Sequence, residues 1–282
     1  MPRLCIAFDR LRAEEKMLRD SAEGAGYAPL MVDAKTVRAG TSSGAAPFGD
    51  AVLERCVSYF RGLHLSAHIE MLGIPVVNTL AVASACGDKL LMTARLKAAG
   101  VPTPETHFAF SAEAAAECAE REGYPLVIKP LVGSWGRGVV PIRDRDALDA
   151  IIEIRSVRDG PHDRIYYLQE LVDRPPRDIR VVTVGGEPVA AMYRRSGGFK
   201  TNLALDGTQE PCRITPEMAE LASRASEAVG GGILGVDMME DRSRGLLVHE
   251  VNNTVEFKGI SRVTEADIPG AMVGYAAGLV RK

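Results

Sequence analysis

Uninterrupted apolar runs alternate with helix-spaced apolar residues along the first 80 residues. An uninterrupted short run predicts a buried strand, and apolar residues three or four apart predict an amphipathic helix. The resulting order is strand 4–8, helix 10–25, strand 30–32, strand 51–57, helix 61–72 and strand 74–77. This alternation predicts a small α/β domain with a parallel sheet. Ligands collect at the carboxyl ends of such strands, which here carry Arg10, residues 55–58 and Asn78.

Beyond residue 80 the pattern predicts two α+β modules. A helix is expected over residues 81–99, and the two prolines of Val101-Pro-Thr-Pro104 mark a linker. The central module follows as strand 106–110, helix 112–122, strand 126–129, a glycine-rich hairpin, strand 139–142, helix 145–155 and strand 166–171. The last module has strands 178–184 and 188–194, polar loop 196–212, helix 216–229 and a hairpin of strands 235–239 and 246–252. We therefore expect an α/β (α+β) protein divided at 1–88, 89–171 and 172–282.

Composition restricts the class of protein further. The chain has 282 residues, 46% of them hydrophobic and 25% charged, with a formal net charge of -3, which gives no support for a nucleic-acid surface. Its first residues resemble a strand more than a signal peptide, and no run approaches the roughly 18 apolar residues of a membrane helix. The five cysteines are scattered without a CxxC pair. We expect a reduced cytoplasmic protein without structural zinc and without a nucleic-acid or membrane partner.

The hairpin near the carboxyl end carries acids on apolar strands. Side chains alternate along a strand, so Glu250 and Asn252 share one face, and pairing about the turn brings Asp237 opposite residues 248–250. Buried carboxylates are costly unless they are paired or bind a cation, and Mg²⁺ prefers such oxygen ligands together with nucleotide phosphates. The three residues therefore predict a magnesium site, the alternative being a solvated hairpin. His249 falls on the opposite face of an ideal strand and is expected to be structural.

A second group of residues suits phosphate binding. Strand 126–129 delivers Lys129 at its end, Pro130 prevents further pairing, and Gly133-Ser-Trp-Gly-Arg-Gly138 follows with backbone N–H groups that can surround phosphate oxygens. The segment is neither a Walker A loop nor a GxGxxG turn entering a helix, so a plain hairpin turn is the alternative. After a strand-terminal lysine the phosphate-binding interpretation is favoured.

Polar residues on neighbouring strands complete the candidate site. Glu170 lies where a strand leaves for the next module and is either an exposed acid or close to an adenine edge. Asp178 and Arg180 alternate on one strand, and Arg194 ends the next; strand-end arginines suit phosphate and carboxylate groups. Asn202 belongs to a polar loop, where it either binds phosphate or is an ordinary turn residue. The histidines form no triad or HExxH pattern, which argues against triad hydrolases and zinc proteases.

The order of these residues resembles the ATP-grasp superfamily. Motifs such as Phe8-Asp-Arg10, Ala85-Cys-Gly-Asp-Lys89 and Glu250-Val-Asn252 are similar to those of the LysX/ArgX branch of the RimK-like ligases. The resemblance implies an ATP-grasp fold whose central and carboxyl-terminal modules clamp ATP, with Mg²⁺ or Mn²⁺ on Asp237, Glu250 and Asn252. ATP would contact Lys89, Lys129, Ser134, Trp135, Gly136, Arg137, Gly138, Gln169, Glu170, Leu171, Val172 and Asp178. The reacting groups would face Arg180, Arg194 and Asn202, and the incoming amino acid Arg194, Phe199, Thr201, Asn202, Glu256, Phe257 and Lys258.

The resemblance also implies a reaction and its partners. The terminal glutamate side chain of a small acidic carrier protein of the LysW type would attack the γ-phosphate, and the α-amine of glutamate or 2-aminoadipate would then displace phosphate. Residues 198–202 differ from the form associated with aminoadipate, which favours glutamate or dual use. A homo-oligomer, dimer or tetramer, is expected. Two alternatives stay open: a RimK-type ligase acting on other peptides or small molecules, and a nucleotide-binding regulatory protein without turnover.

Overall fold

The computed structural model describes residues 3–38, 40, 47–158, 160, 162–197, 199 and 208–280. In these ranges one parallel and two antiparallel sheets follow one another along the chain. The predicted α/β fold class is confirmed. No helix in the described ranges combines the length and the apolar character that a membrane crossing needs.

The first sheet is parallel, as the sequence predicts, with the strand order β2-β1-β3-β4. Its third strand ends at Glu54, three residues earlier than predicted, because the Glu54 carboxylate accepts the Cys56 N–H at 2.6 Å and the chain turns there. The elements are β1 Leu4–Phe8, α1 Ala13–Gly24, β2 Leu30–Asp33, β3 Ala51–Glu54, α2 Tyr59–Met71, β4 Val76–Val77 and α3 Leu80–Gly87.

The second sheet has the order β5-β8-β6-β7. The glycine-rich segment joins β6 and β7, which pair antiparallel at Ile128 and Val140, so the predicted hairpin is confirmed. Trp135 and Gly136 have φ angles of 57° and 67° in the turn. The elements are α4 Lys89–Ala98, β5 Thr106–Ala109, α5 Ala112–Glu122, β6 Leu126–Lys129, β7 Val140–Ile142, α6 Arg145–Ser156 and β8 Tyr166–Glu170.

The third sheet, in the order β11-β10-β9-β12-β13, is apolar on both faces. Val182 and Val184 pack with α8 and the amino-terminal module, whereas Val181 packs with α7, α3 and α4. This double burial fixes the register of the strands that carry the candidate site. The elements are β9 Arg177–Val184, β10 Glu187–Arg195, β11 Thr208–Pro211, α7 Pro216–Val229, β12 Ile233–Asp241, β13 Gly245–Asn252 and α8 Ile268–Gly278.

Several local predictions differ from the structure. The helix predicted over 81–99 is broken at Asp88, whose Oδ1 accepts the N–H groups of Leu90 and Leu91 and starts α4 as an N-cap. Strand β11 lies inside the predicted loop 196–212. The sequence analysis predicted no element after residue 252, where the structure has α8. Asn78 holds the first sheet to β12, since it bonds both the C=O and the N–H of Ile233, at 2.7 and 2.8 Å.

Candidate active site

The three residues predicted to bind metal meet at one end of the third sheet. Asp237 on β12 pairs with Glu250 on β13, and Gly235 pairs with Asn252. The Asn252 side-chain amide donates to Asp237 Oδ2 at 3.3 Å. Two carboxylates and an amide thus face one spot, as the sequence predicts.

Two arginines neutralise the acids at this spot. Arg180 donates two 2.7 Å bonds to Asp237, and Arg194 donates two 2.7 Å bonds to Asp178 and contacts Asp237 at 3.0 Å. Arg194, Asp178 and Asp237 are only 5%, 2% and 1% exposed. Burial opposes ionisation of Asp237, but Arg180 and Arg194 outweigh it and hold its pKa well below the usual range. The cluster is therefore a buried network of ion pairs in which the two arginines keep Asp237 ionised.

A β-bulge corrects the prediction for His249. The register moves from Asp237 opposite Glu250 to Met238 opposite Val248, so His249 is an extra residue on β13. The bulge brings His249 and Glu250 to the wall of the same cavity instead of opposite faces. His249 Nε2 is buried, has no hydrogen-bond partner among the described residues, and lies 4.0 Å from Asp178 Oδ2. Burial and the nearby Lys129 lower the pKa of His249 to about 4, which keeps the ring neutral at pH 7.

The two predicted phosphate-binding lysines converge from different elements. Lys129, at the end of β6, is 6% exposed and donates to Gln169 Oε1 at 2.6 Å. Burial, with smaller effects from Lys89 and Arg174, lowers the pKa of Lys129 to about 8 although Glu250 acts to raise it. Lys89, in the first turn of α4, reaches Gly133 O at 3.0 Å and Glu250 Oε1 at 3.2 Å. Both ammonium groups therefore border the metal-ligand set.

These groups line a cavity between the second and third sheets, which we call the nucleotide cavity. Its wall carries Lys89, Lys129 and the glycine-rich turn, which suit phosphate groups, together with the apolar side chains of Val127, Val139, Leu171, Val172 and Met239. Of the residues predicted to contact ATP, those on its wall are Lys89, Lys129, Ser134, Gly136, Arg137, Gln169, Glu170, Leu171, Val172 and Asp178. The sequence analysis did not predict that Arg174, Val127, Met239 and His249 line this cavity. Val127 and Met239 could not be distinguished in the sequence from ordinary apolar core residues.

The side chain of Glu170 makes hydrogen bonds and an ion pair that stabilise the wall of this cavity. Its Oε1 accepts the Glu105 N–H at 2.8 Å and a bond from Arg244 at 2.7 Å. The Leu171 and Val172 segment then leaves β8 along the cavity wall.

A second cavity adjoins the first, and we call it the acceptor cavity. It is lined by the amino-terminal module (Arg12, Ser58 and Tyr59), by the glycine-rich turn, and by Arg180, Arg194 and Asn252. Gly133, Ser134 and Glu250 belong to the walls of both cavities. Trp135, predicted to contact ATP, lies on the acceptor side. The two spaces therefore meet beside the metal-ligand set.

The predicted amino-acid-binding residues separate into three groups. Arg194 and Glu256 line the acceptor cavity, and Phe199 lines the nucleotide cavity. Phe257 is 0% exposed within the core and Lys258 is exposed, and neither of these two described residues lines the nucleotide cavity or the acceptor cavity. Thr201 and Asn202 lie outside the described residues. Arg12 and Tyr59 were missed, because their approach depends on how the amino-terminal module docks.

The donor chemistry of the site fits a nucleotide and a divalent cation. The oxygens of Asp237, Glu250 and Asn252 are hard ligands of the kind Mg²⁺ takes, and the lowered pKa of Asp237 keeps it ionised. Two lysines would supply positive charge to phosphate groups, and the buried Nε2 of His249, without a partner in the described part of the chain, is available to hydrogen-bond a bound group. Residues from both sheets, Lys129 and Glu250 among them, thus line one cavity.

Comparison with known proteins identifies the family. A LysX preATP-grasp domain model matches residues 4–85, and a RimK-like ATP-grasp domain model matches residues 83–276. The α-aminoadipate–LysW ligase LysX of Saccharolobus solfataricus is 37% identical over 83% of this chain and 85% of its own. The glutamate–LysW ligase ArgX of Sulfolobus acidocaldarius is 31% identical over 97% of each chain.

A solved structure supports the same assignment. The RimK domain ATP-grasp protein of Sphaerobacter thermophilus aligns with a TM-score of 0.80 and 26% identity, over 97% of this chain and 100% of its own. The D-alanine–D-alanine ligase of Bacillus anthracis, 16% identical with a TM-score of 0.70, shares the fold. With one family model covering most of the sequence and relatives at 31–37% identity, this chain belongs to the RimK-like ATP-grasp family.

Proposed function

We propose that this protein is an ATP-dependent carboxylate–amine ligase. It joins the α-amine of glutamate or 2-aminoadipate to the terminal glutamate side chain of a small carrier protein of the LysW type. The observation that carries this proposal is the shared wall of the nucleotide and acceptor cavities at Gly133, Ser134 and Glu250. A carboxylate in the acceptor cavity can thereby approach the terminal phosphate of ATP. Both named relatives are ligases of this type.

ATP would lie along the nucleotide cavity with its base against the apolar part of the wall. Lys89, Lys129 and the N–H groups of the glycine-rich turn would hold its phosphates, while Met239 and Val127 would contact the base. In this proposal residues 1–88, 89–171 and 172–282 act as three modules, and the nucleotide lies between the last two. Positioning of this kind supplies much of the rate in phosphoryl transfer.

Asp237, Glu250 and Asn252 would hold Mg²⁺. When bound, this ion neutralises charge that develops on the phosphate oxygens. Asp237 would bind the ion while it stays paired with the arginines, because each carboxylate oxygen accepts bonds in more than one direction. A further positive charge beside Asp237 would weaken its hold on Arg180, which lines the acceptor cavity and would then be available to an anion there.

The positive charges of Arg180 and Arg194 would reduce the repulsion between the carrier carboxylate and the phosphates of ATP. The carrier carboxylate attacks the γ-phosphate, forming a mixed carboxylic–phosphoric anhydride and ADP. The amine then displaces phosphate to give the amide. A neutral amine is needed, and Glu256 on the wall of the acceptor cavity would take its proton. The pairing of Glu256 with Arg12 at 3.3 Å keeps this carboxylate beside a cation.

The mass of the carrier tests the proposed function. Incubation with ATP, Mg²⁺, a LysW-type carrier and glutamate should add one glutamyl residue to the carrier and release one ADP. Glutamate and 2-aminoadipate differ by one methylene, worth about 1–3 kcal/mol, so both are to be assayed. Amide formation without a carrier would favour a RimK-type ligase for small molecules or peptides. ATP binding without any product would favour a regulatory protein.

ATP affinity is expected to depend on pH through Lys129. Its pKa of about 8 lies below that of an ordinary lysine, so the ammonium group loses its proton as the pH rises past 8. Phosphate binding favours the protonated form, and ATP affinity should fall by up to about tenfold per pH unit above 8. Calorimetry from pH 7 to 10 measures this slope. Lys129→Arg should flatten it, since arginine stays charged; an equally steep slope in that variant would assign it to another group.

Substitution of His249 tests the position of the nucleoside. His249→Leu should weaken ATP binding about 3–10-fold, because the ligand loses one hydrogen bond. His249→Gln should restore most of the affinity, as its amide nitrogen can replace Nε2. Equal ATP affinity in wild type and His249→Leu, measured by calorimetry, would show that the imidazole does not contact the nucleotide.

A further inference from the structure

A second group of potential metal ligands lies on the central module. One ring nitrogen of His107, Cys118 Sγ and one carboxylate oxygen of Glu122 all lie within 4.8 Å of one another. His107 is on the edge strand β5, whereas Cys118 and Glu122 stand four residues apart on α5 and so project from the same side of the helix. Two elements therefore present nitrogen, sulfur and oxygen donors to one point.

The distance between the nitrogen and oxygen donors matches that around a single tetrahedral ion. His107 Nε2 and Glu122 Oε2 are 3.4 Å apart. Zinc bonds of about 2.0–2.2 Å to nitrogen and oxygen, at tetrahedral angles, separate two such ligands by about 3.3–3.6 Å. Arg121 bonds the other oxygen of Glu122 at 2.7 Å, which orients the carboxylate with Oε2 toward His107. A neighbouring groove lined by His107, Cys118 and Arg121 gives an ion access.

We propose that His107, Cys118 and Glu122 form a binding site for Zn²⁺ or a similar borderline-soft divalent cation, with water as a fourth ligand. A thiolate and an imidazole disfavour Mg²⁺ and favour zinc. Binding replaces the S–H bond of Cys118 by a metal–sulfur bond and releases the proton to solvent.

This site is separate from the nucleotide cavity. His107 pairs with Leu168, a core residue beneath α5, while the neighbouring Thr106 pairs with Gln169, whose amide bonds Lys129 in the nucleotide cavity. Adjacent residues of a strand face opposite sides, so His107 and the nucleotide lie on opposite faces of the sheet. A bound ion would tie α5 to the edge strand. Its expected effect is on the stability of this module and not on the reacting groups.

Cobalt provides a specific probe of the site in the full-length chain. Co²⁺ should give a near-ultraviolet thiolate-to-metal charge-transfer band, which oxygen ligands at Asp237 and Glu250 cannot produce. The band should vanish in Cys118→Ser. His107→Gln and Glu122→Gln should each weaken Co²⁺ binding more than about 100-fold, because a lost ligand costs more than the roughly 10–100-fold typical for a lost residue that only hydrogen-bonds a ligand. Zn²⁺ should compete for the site and raise the melting temperature of the wild type only.

Controls separate this site from other thiols. Cys212→Ser removes a partly exposed thiol on another module and should keep the full band. If Cys118→Ser does not fold, His107→Gln and Glu122→Gln decide, because their side chains are 22% and 29% exposed in the wild type. No band at saturating Co²⁺, or a band unchanged in the His107 and Glu122 variants, would overturn the proposal.

Discussion

Glu250→Gln is expected to lower the ligase rate about 100- to 1,000-fold while the protein stays folded. The change keeps the shape of the side chain and removes its charge. Burial opposes ionisation of Glu250, but Lys89 at 3.2 Å helps to hold its pKa below the ordinary value. Loss of the carboxylate would weaken the proposed hold on Mg²⁺ and the position of Lys89 together. One preorganised charge typically contributes about 3–4 kcal/mol to the barrier.

Steady-state release of ADP with the carrier present measures this effect. Glu240→Gln is a matched control, since Glu240 is also on the third sheet but bonds Arg177 at 2.6 and 2.9 Å away from both cavities. The control should stay within about twofold of the wild-type rate, because Glu240 and Arg177 line neither cavity. If Glu250→Gln kept more than a tenth of the wild-type rate, its carboxylate would not be a central ligand.

Arg194→Met should lower the free energy of unfolding by about 3 kcal/mol. The substitution removes the two hydrogen bonds of one bidentate pair with Asp178 and a contact with Asp237, and all three residues are buried. Breaking a buried ion pair from one side typically costs about 3–5 kcal/mol. The lower end applies, because Arg180 still neutralises Asp237. The loss should be greatest near neutral pH.

The sign of the pH effect follows from the lowered pKa of Asp237. A carboxylate with a depressed folded pKa contributes stability above its unfolded pKa and loses it as the pH falls. The difference between wild type and Arg194→Met should therefore shrink below about pH 4. Urea unfolding at pH 7 and in acid measures this. Arg195→Met, which removes an exposed pair with Glu210, should cost at most about 1 kcal/mol. Equal losses in the two variants would contradict the buried-network account.

Local patterns predicted the elements, because propensity and burial act over short stretches. Helices α5 and α7 and strands β1 and β6 begin and end where the sequence predicts. The break at Asp88 was missed because a side-chain cap overrides a continuous apolar pattern. His249 was misplaced for a related reason. Alternation assumes a regular ladder, and one extra residue at a bulge reverses it.

Contacts between modules were harder to predict than the site within them. Asp237, Glu250 and Asn252 belong to one hairpin, so local pairing brings them together. Arg12 and Tyr59 reach the acceptor cavity only because the amino-terminal module docks on the third sheet. Phe257 is close in sequence to the site, but the docked Arg55 lies over its ring and the core buries it. Long-range packing therefore decided which neighbours of the motifs line a cavity.

The isotopic composition of the released phosphate tests the central claim most directly. A carrier labelled with ¹⁸O in its terminal side-chain carboxylate is incubated with ATP, Mg²⁺ and glutamate, and the inorganic phosphate is analysed by mass spectrometry. If the acceptor carboxylate attacks the γ-phosphate where the two cavities meet at Glu250, each phosphate carries one oxygen from the carrier. Unlabelled phosphate released together with amide product would contradict this account.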